Sequence, residues 1–263
     1  MLTIAHHSEL IGDSICALPA LWEAAWQRGP IRVWMKNQAV PPLLRAASRI
    51  TWLDREPPRA DHHMHAHLGL GRALYSLRWH MRQAYFAQVG LPIPERVPAF
   101  PVYVPIPTVR ERCDVLISPF SRSDQGHNKA WYTDRWADLL RVLHARGLRL
   151  GIIGSADQEQ ASETVALRGA IGGRFAVEGW GRPLAAAMAL IRDAGVCISI
   201  DNGVSHLISA MGRPHVLLYP ACLPFTWVRD PNPGAEHVIG WPQQITVARV
   251  IEAFDRCTAK RRP

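Results

Sequence analysis

Short apolar runs alternate with segments of helical period along most of the chain. In the first part, the runs at 2–5, 31–35 and 50–53 are rich in β-branched residues, which is typical of buried strands. Segments at 14–27 and 41–47 have the composition of helices. Strands that alternate with helices in this way predict a parallel sheet with helices packed on its faces.

A long helix and a proline-rich segment follow these first elements. Apolar residues spaced for one helical face run through 71–89, and six prolines fall between residues 90 and 107. The latter stretch is typical of a stiff, extended linker and indicates a domain boundary. Pro19 lies one turn into the first helix, and we expect it to end or bend that turn.

The alternation begins again after the linker. Strands are predicted at 114–118, 150–153, 174–177, 196–200, 216–219 and 237–239, and helices at 133–146, 157–168, 184–194 and 246–257. The fold class is therefore α/β, with two βα domains in tandem and a cleft between them. We expect one domain over 1–107, a second over 108–245, and a closing helix with a basic tail over 246–263.

One strand–turn–helix segment, at 196–214, concentrates the polar signals. An apolar strand ends at Ile200, a turn follows at Asp201-Asn202-Gly203, and Gly212 with Pro214 ends the next helix. Open α/β sheets bind ligands where a strand's carboxyl end leads into a helix, and the free amides there favour an anion. The alternative is an ordinary turn in which Asp201 caps the helix.

Two other strand–helix loops carry candidate groups. Asp13 is either a first-turn or capping acid of its helix, or a general base that faces the cleft. The loop with Ser121, Arg122, Ser123 and Lys129 combines hydroxyls and cations that suit a diphosphate. A solvated basic loop is the other interpretation of that segment.

Composition narrows the class of protein. The 263 residues carry a net charge of +8, which favours phosphorylated ligands or anionic surfaces, and no nucleic-acid-binding motif is present. The basic tail at 256–262 is either solvated or attracted to a membrane surface. Five widely spaced cysteines without a CxxC pattern indicate reduced thiols in a cytosol. We find neither a secretion signal nor a membrane span.

Four histidines between residues 62 and 67 form the most unusual local composition. A metal site is conceivable there, but four histidines within six residues do not easily converge on one ion. An exposed loop is the favoured interpretation, and we expect no metal ion and no other cofactor.

Three segments together resemble one family. They are Gly12-Asp13 with the residues at 17–21, the loop at 121–131 with Lys129 and then Trp136, and the residues at 201–207 with those at 211–214. In this order they resemble the signatures of glycosyltransferase family 9, the bacterial heptosyltransferases of lipopolysaccharide core synthesis. The third segment resembles the family's Asp-Thr-Gly-x-x-His signature, with Asn202 in place of the threonine.

The resemblance implies a GT-B fold, with two Rossmann-like domains that face one another across a cleft. It also implies inverting, metal-independent transfer of a sugar from a nucleotide diphosphate donor, commonly ADP-heptose, to a glycan or glycolipid acceptor. The protein would be cytoplasmic, with peripheral contact at the inner face of the bacterial inner membrane.

Residue roles follow from the same resemblance. Asp13 would act as the general base. The donor sugar and ribose would be bound by Asp201, Asn202 and Glu159. The donor diphosphate would be bound by Ser121, Arg122, Ser123, Lys129, Gly203, Val204, Ser205 and His206.

The chain departs from the family in its first half, which is shorter than the usual acceptor domain. Two alternatives therefore stay open. One is a nucleotide-sugar-binding relative without transfer activity, and the other is a nucleotide-sugar epimerase of the GT-B type.

Overall fold

The computed structural model describes residues 1–9, 11–40, 48–65, 81–95, 106, 108, 110–121, 129–220, 232 and 234–260. These residues form two compact units, the first within Met1–Pro105 and the second within Ile106–Cys222 and Asn232–Pro263. The short helix predicted at 41–47, the first half of the helix predicted at 71–89 and most of the linker lie outside the described residues.

The first unit contains a four-stranded parallel sheet. Its strands are β1 (Leu2–His6), β2 (Ile31–Met35), β3 (Ile50–Leu53) and β4 (His62–Met64), in the order β3-β2-β1-β4. Two helices accompany the sheet, α1 (Ile11–Arg28) and α2 (Met81–Gln88). All three strand pairs are parallel, as the βαβαβ pattern predicts.

We expected Pro19 to end or bend the first turn of α1. The helix continues through Pro19 to Arg28, so the proline does not end it. A proline inside a helix costs about 3 kcal/mol because it removes one hydrogen bond and crowds the preceding turn. Ile15, Leu18 and Leu21 are fully buried, and each stabilises the folded chain by roughly 1.5–3 kcal/mol. Their burial offsets the cost of the proline.

Strand β4 replaces the loop that we expected at the histidine-rich segment. It pairs with β1, with His62 opposite Ile4 and Met64 opposite His6. Only Met64 of its three residues is buried. A three-residue strand with one apolar side chain gives almost no period-2 signal, which explains why the sequence pattern favoured a loop.

The second unit contains a six-stranded parallel sheet in the order β10-β9-β8-β5-β6-β7. Counted within the unit, this is the 6-5-4-1-2-3 arrangement of Rossmann folds, with the reversal of strand order between β5 and β8. The strands are β5 (Val115–Ser118), β6 (Leu150–Gly154), β7 (Val177–Trp180), β8 (Val196–Ile200), β9 (His215–Tyr219) and β10 (Ala235–Ile239). The helices are α3 (Thr133–Ala145), α4 (Ser162–Ala170), α5 (Leu184–Asp193), α6 (Gly203–Ala210) and α7 (Val247–Ala259).

Two predicted elements of this unit are displaced. The helix expected at 157–168 is a 3₁₀ turn, Ala156–Gln158, followed by α4. The turn closes because Ser155 and Gln158 form a reciprocal capping box. The strand expected at 174–177 is β7 at Val177–Trp180, in which buried Val177 and Gly179 alternate with half-buried Glu178 and Trp180. The glycine gives no strand propensity, so the sequence pattern placed the strand too early.

The core of the second unit lies on the sheet. Val115, Ile117, Ile152, Ile198 and Ile200 are buried, together with Trp136 from α3 and Phe254 from α7.

Four cysteines of the two units are buried thiols, namely Cys16, Cys113, Cys197 and Cys257. Among the helices that the structure describes, none is long and apolar enough to cross a membrane.

Candidate active site

The polar groups of the second unit gather where its strand order reverses. β5 and β8 are neighbours there, with Ser118 opposite Ser199 at their carboxyl ends. Loops that leave two adjacent strands in opposite directions open a crevice, which is the usual ligand site of such sheets. The two predicted binding segments, the loop after Ser118 and the turn after Ile200, both start at this point.

Helix α6 begins at the turn after β8, and Asn202 is its N-cap. The Asn202 side chain accepts a hydrogen bond from the Ser205 amide (2.9 Å), while the Ser205 hydroxyl accepts one from the Asn202 amide (3.1 Å). The alternative in which Asp201 caps this helix is therefore wrong. Since the Ser205 amide is engaged by the cap, Gly203 and Val204 are the first-turn residues whose amides would face an anion at this helix start, a role that stays a prediction. The helix stops as predicted, with Gly212 at a φ of +61°.

Asn202 also joins the two strand ends. Its Nδ2 donates to the Phe120 carbonyl (2.8 Å), to the Ser118 hydroxyl (3.0 Å) and to the Ser118 carbonyl (3.3 Å). This bridge was missed by sequence reasoning, which assigned Asn202 to sugar binding. An asparagine followed three residues later by a serine at a helix start was the signal that indicated the cap.

Asp201 lies beside the side chains of Lys129 and His206. Its carboxylate is 2.7 Å from Lys129 Nζ through Oδ2 and 3.5 Å from His206 Nε2 through Oδ1. Asp201 is only 3% exposed, whereas the Lys129 side chain keeps 26% of its surface accessible. Three residues that the sequence placed in two separate segments therefore form one cluster. Ser121 is half-buried, and Arg122 and Ser123 lie outside the described residues.

Glu159 lies in the turn that follows β6, the strand next to β5. It is the C-cap of the 3₁₀ turn and is half-buried, with its carboxylate 3.9 Å from Arg168 Nη2. Arg168 binds Glu178 more closely, with Nη2 to Oε2 at 2.6 Å and Nε to Oε1 at 3.1 Å. These hydrogen bonds lower the pKa of Glu178 against the opposing effect of burial.

Two aromatic rings lie at the ends of β5 and β7. The rings of Phe120 and Trp180 have centroids 6.3 Å apart and are tilted by 33°. The Trp180 indole donates to Glu178 (3.1 Å), which fixes the ring beside the ion pair with Arg168. This gives the same edge of the sheet an apolar surface next to its charged groups.

Asp13 belongs to the first unit and is the third residue of α1. It is 6% exposed, and its Oδ2 accepts a hydrogen bond from the Ser8 hydroxyl at 2.7 Å. Asp13 is thus a first-turn acid and not the cap of its helix. A buried carboxylate oriented by a hydroxyl suits a general base, a role that stays a prediction.

Solved structures with similar folds include several glycosyltransferases. ADP-heptose LPS heptosyltransferase II of E. coli aligns with a TM-score of 0.71 and 19% identity over 99% of each chain. E. coli heptosyltransferase WaaC with ADP aligns with a TM-score of 0.68 and 14% identity over 98% of this chain and 100% of the other. The iron-containing dodecameric glycosyltransferase TibC of enterotoxigenic E. coli aligns with a TM-score of 0.71 and 16% identity over 98% and 76%. At these identities the likeness shows the fold, and the predicted GT-B class is confirmed.

The family is shown by the sequence itself. The model of glycosyltransferase family 9 (heptosyltransferase) matches residues 73–243, well over half of the chain. The chain therefore belongs to this family and is a glycosyltransferase, as its three signature segments predicted. A search of curated proteins found no significant match.

Proposed function

We propose that this protein is an inverting glycosyltransferase that moves a heptose-like sugar from a nucleotide diphosphate donor to a hydroxyl of a glycan or glycolipid. The observation that carries the proposal is the cluster of Lys129, His206 and Asp201 at the start of α6. It combines cationic side chains and helix amides at the crevice of a Rossmann-type sheet.

The cluster suits a departing nucleotide diphosphate. When the bond between the sugar and the phosphate breaks, negative charge grows on the phosphate oxygens. Lys129, His206 and the amides of Gly203 and Val204 would offset that charge. Since Asp201 already holds Lys129 at 2.7 Å, little reorganisation is needed during the reaction. In other transferases a divalent metal ion stabilises the leaving group. Here side chains and amides would take that part, and we propose that transfer needs no metal ion or cofactor.

Asp13 is proposed to activate the acceptor. Its carboxylate would take the proton of the acceptor hydroxyl while the hydroxyl oxygen bonds to the anomeric carbon of the sugar. The bond from that carbon to the phosphate breaks in the same step, so the configuration inverts. The Ser8 hydroxyl, 2.7 Å from Asp13, would orient the carboxylate.

The donor and acceptor classes are inferred from the family and its relatives. WaaC is known with ADP, and TibC with ADP-D-beta-D-heptose. We propose ADP-heptose as the donor, with Asp201 near the sugar and Glu159 near the ribose, and a lipopolysaccharide-type glycolipid as the acceptor. The iron in TibC belongs to that protein and has no part in this proposal.

We also propose a cytoplasmic location with peripheral contact to the inner membrane. The net charge of +8 favours an anionic surface. In the basic tail, Arg256 and Lys260 both bind Glu236, at 3.0 and 2.6 Å, which limits what they contribute. Arg261 and Arg262 lie outside the described residues. Co-sedimentation with anionic vesicles, compared with neutral ones, tests this part of the proposal.

The central experiment measures release of nucleotide diphosphate from a panel of nucleotide sugars, with and without a glycolipid acceptor and with and without EDTA. Acceptor-dependent release from ADP-heptose that persists in EDTA supports the proposal. Asp13→Asn should abolish release and keep ADP binding, whereas Asp54→Asn, an exposed acid of the same unit, should match the wild type.

Three outcomes contradict the proposal. Absence of both release and nucleotide binding removes the donor site. Binding without release indicates the relative that lacks transfer activity. Conversion of the donor sugar without an acceptor indicates an epimerase.

A further inference from the structure

We propose that His7, His63 and His65 form a binding site for one divalent transition-metal ion such as Zn²⁺ in the first unit. One ring nitrogen from each histidine lies within 4.8 Å of the others. The three histidines are not among the residues assigned to sugar transfer, and the inference does not depend on the proposed function.

The three imidazoles converge because of strand pairing. His7 follows β1, while His63 lies in β4 and His65 directly after it, and these two strands are adjacent and parallel. The His7 and His65 rings stack with centroids 4.6 Å apart, and the His7 and His63 rings with centroids 5.1 Å apart. The backbone is held in register by the His7 amide, which donates to the Met64 carbonyl at 3.0 Å.

The spacing of the nitrogens is close to that of a metal site. His7 Nε2 and His63 Nδ1 are 2.9 Å apart. A tetrahedral Zn²⁺ with Zn–N bonds of 2.0–2.1 Å holds two ligand nitrogens roughly 3.3 Å apart. The rings are nearly parallel, so binding requires them to turn about their side-chain bonds until one lone pair of each points to a common centre. Three imidazole ligands leave a fourth position for water.

A carboxylate and access from solvent accompany the three imidazoles. Glu56 Oε1 lies 3.7 Å from His7 Nδ1, the nitrogen on the side away from His63. A carboxylate in that place orients a metal-binding histidine through its second nitrogen. His63 is exposed, which gives an ion direct access.

Metal binding at this site would strengthen the attachment of the edge strand β4 to β1. β4 pairs only with β1 among the described strands, through three residue pairs, so few hydrogen bonds hold it. This proposal revises our expectation of no metal site. The expectation considered the histidines at 62–67 alone, whereas the third ligand comes from His7, 56 residues before His63.

Binding is tested with full-length protein that carries no histidine tag. Titration with Zn²⁺ against a chromophoric chelator should show one tight equivalent, and Co²⁺ should give the intense visible bands of a tetrahedral site. Zn²⁺ should raise the thermal midpoint by roughly 5 °C or more at a hundredfold excess over the dissociation constant, and a chelator should reverse the shift.

The variants separate this site from other metal-binding groups. His63→Ala removes an exposed side chain, so it should fold normally while it lowers Zn²⁺ affinity at least a hundredfold and abolishes the Co²⁺ bands. His62→Ala, on the same strand but outside the cluster, should bind as the wild type does. Absence of stoichiometric binding in the wild type, or equal binding by His63→Ala, overturns the proposal.

Discussion

Lys129 Nζ lies 2.7 Å from Asp201 Oδ2, and this contact joins the loop after β5 to the turn after β8. The two residues are 72 positions apart in the sequence. Asp201 is buried and the Lys129 side chain is partly accessible, so the carboxylate holds the ammonium group at a position that solvent reaches. An ammonium group held in this way is the basis of the proposed diphosphate site.

Loss of either Lys129 or His206 should weaken catalysis. We expect Lys129→Gln and His206→Ala each to lower kcat/KM by about 10²–10³-fold, because each removes a group that stabilises the leaving diphosphate. Steady-state release of nucleotide diphosphate measures the effect. Asp157→Ala, an exposed acid in the turn after β6, serves as the control and should stay close to the wild type. Equal activity of all three variants would show that the diphosphate binds elsewhere.

Asp201 and Lys129 should be energetically coupled. Asp201→Asn should lower the free energy of unfolding by about 1–3 kcal/mol, because it removes a charged hydrogen-bond acceptor from a buried position. In the double variant with Lys129→Gln, the loss should be smaller than the sum of the two single losses. Urea denaturation of all four proteins gives the coupling energy. Strict additivity would mean that the contact contributes nothing to stability.

The cap of α6 should affect stability and binding together. Asn202→Ala removes the N-cap bond and the bridge to Ser118 and Phe120, and we expect it to lower the free energy of unfolding by about 1–3 kcal/mol. It should also weaken ADP binding by displacing the first turn of α6, as calorimetry would measure.

Thr246 provides the matched control for this variant. It caps α7 by accepting from the Arg249 amide at 3.3 Å. Thr246→Ala should cost about 1 kcal/mol and leave ADP affinity unchanged. If Asn202→Ala also binds ADP normally, the start of α6 is not part of the donor site.

The ion pair of Arg168 with Glu178 should make stability depend on acid pH. Hydrogen bonds from Arg168 lower the pKa of Glu178 below its ordinary 4.5, although burial opposes them. The unfolded chain therefore takes up a proton at higher pH than the folded one. This contribution is fully present above about pH 4.5 and is lost as the pH falls through the folded-state pKa.

Unfolding measured over this acid range tests the ion pair. The free energy of unfolding should fall less steeply toward low pH in Glu178→Gln than in the wild type. Glu252→Gln, at an exposed position of α7, should keep the wild-type slope. Parallel slopes for Glu178→Gln and the wild type would contradict the assignment.

Much of the fold follows from periodicity alone. Strands such as Ile31–Met35 and Val196–Ile200 are mostly buried and apolar, with Arg32 and Ser199 as their polar residues, and the structure places them at the predicted positions. The sequence does not reveal β4, because Met64 is its only buried residue. Such a strand forms through its pairing with β1 and has no apolar pattern of its own. Likewise, α1 continues through Pro19 because burial outweighs the local cost.

The sequence predicted where the candidate site lies better than it predicted the role of each residue in it. A polar turn between a strand and a helix indicated the crevice, and the structure brings Lys129, Asp201 and His206 together there. What the sequence could not assign was which side chain caps α6, since both Asp201 and Asn202 are good caps. The hydrogen bond from the Ser205 amide to the Asn202 side chain decides between them. The relation of Asp13 to this cluster stays a prediction.

The bridge from Asn202 to Ser118 spans 84 residues of the chain, with consequences for synthesis on the ribosome. A nascent chain that has emerged only through β7 contains the lysine loop but neither the cap nor the turn that complete the anion site. Nucleotide that binds at the proposed site would stabilise this unit only after α6 has left the exit tunnel. During translation, ADP binding would then indicate that β5 and β8 have paired in the second sheet.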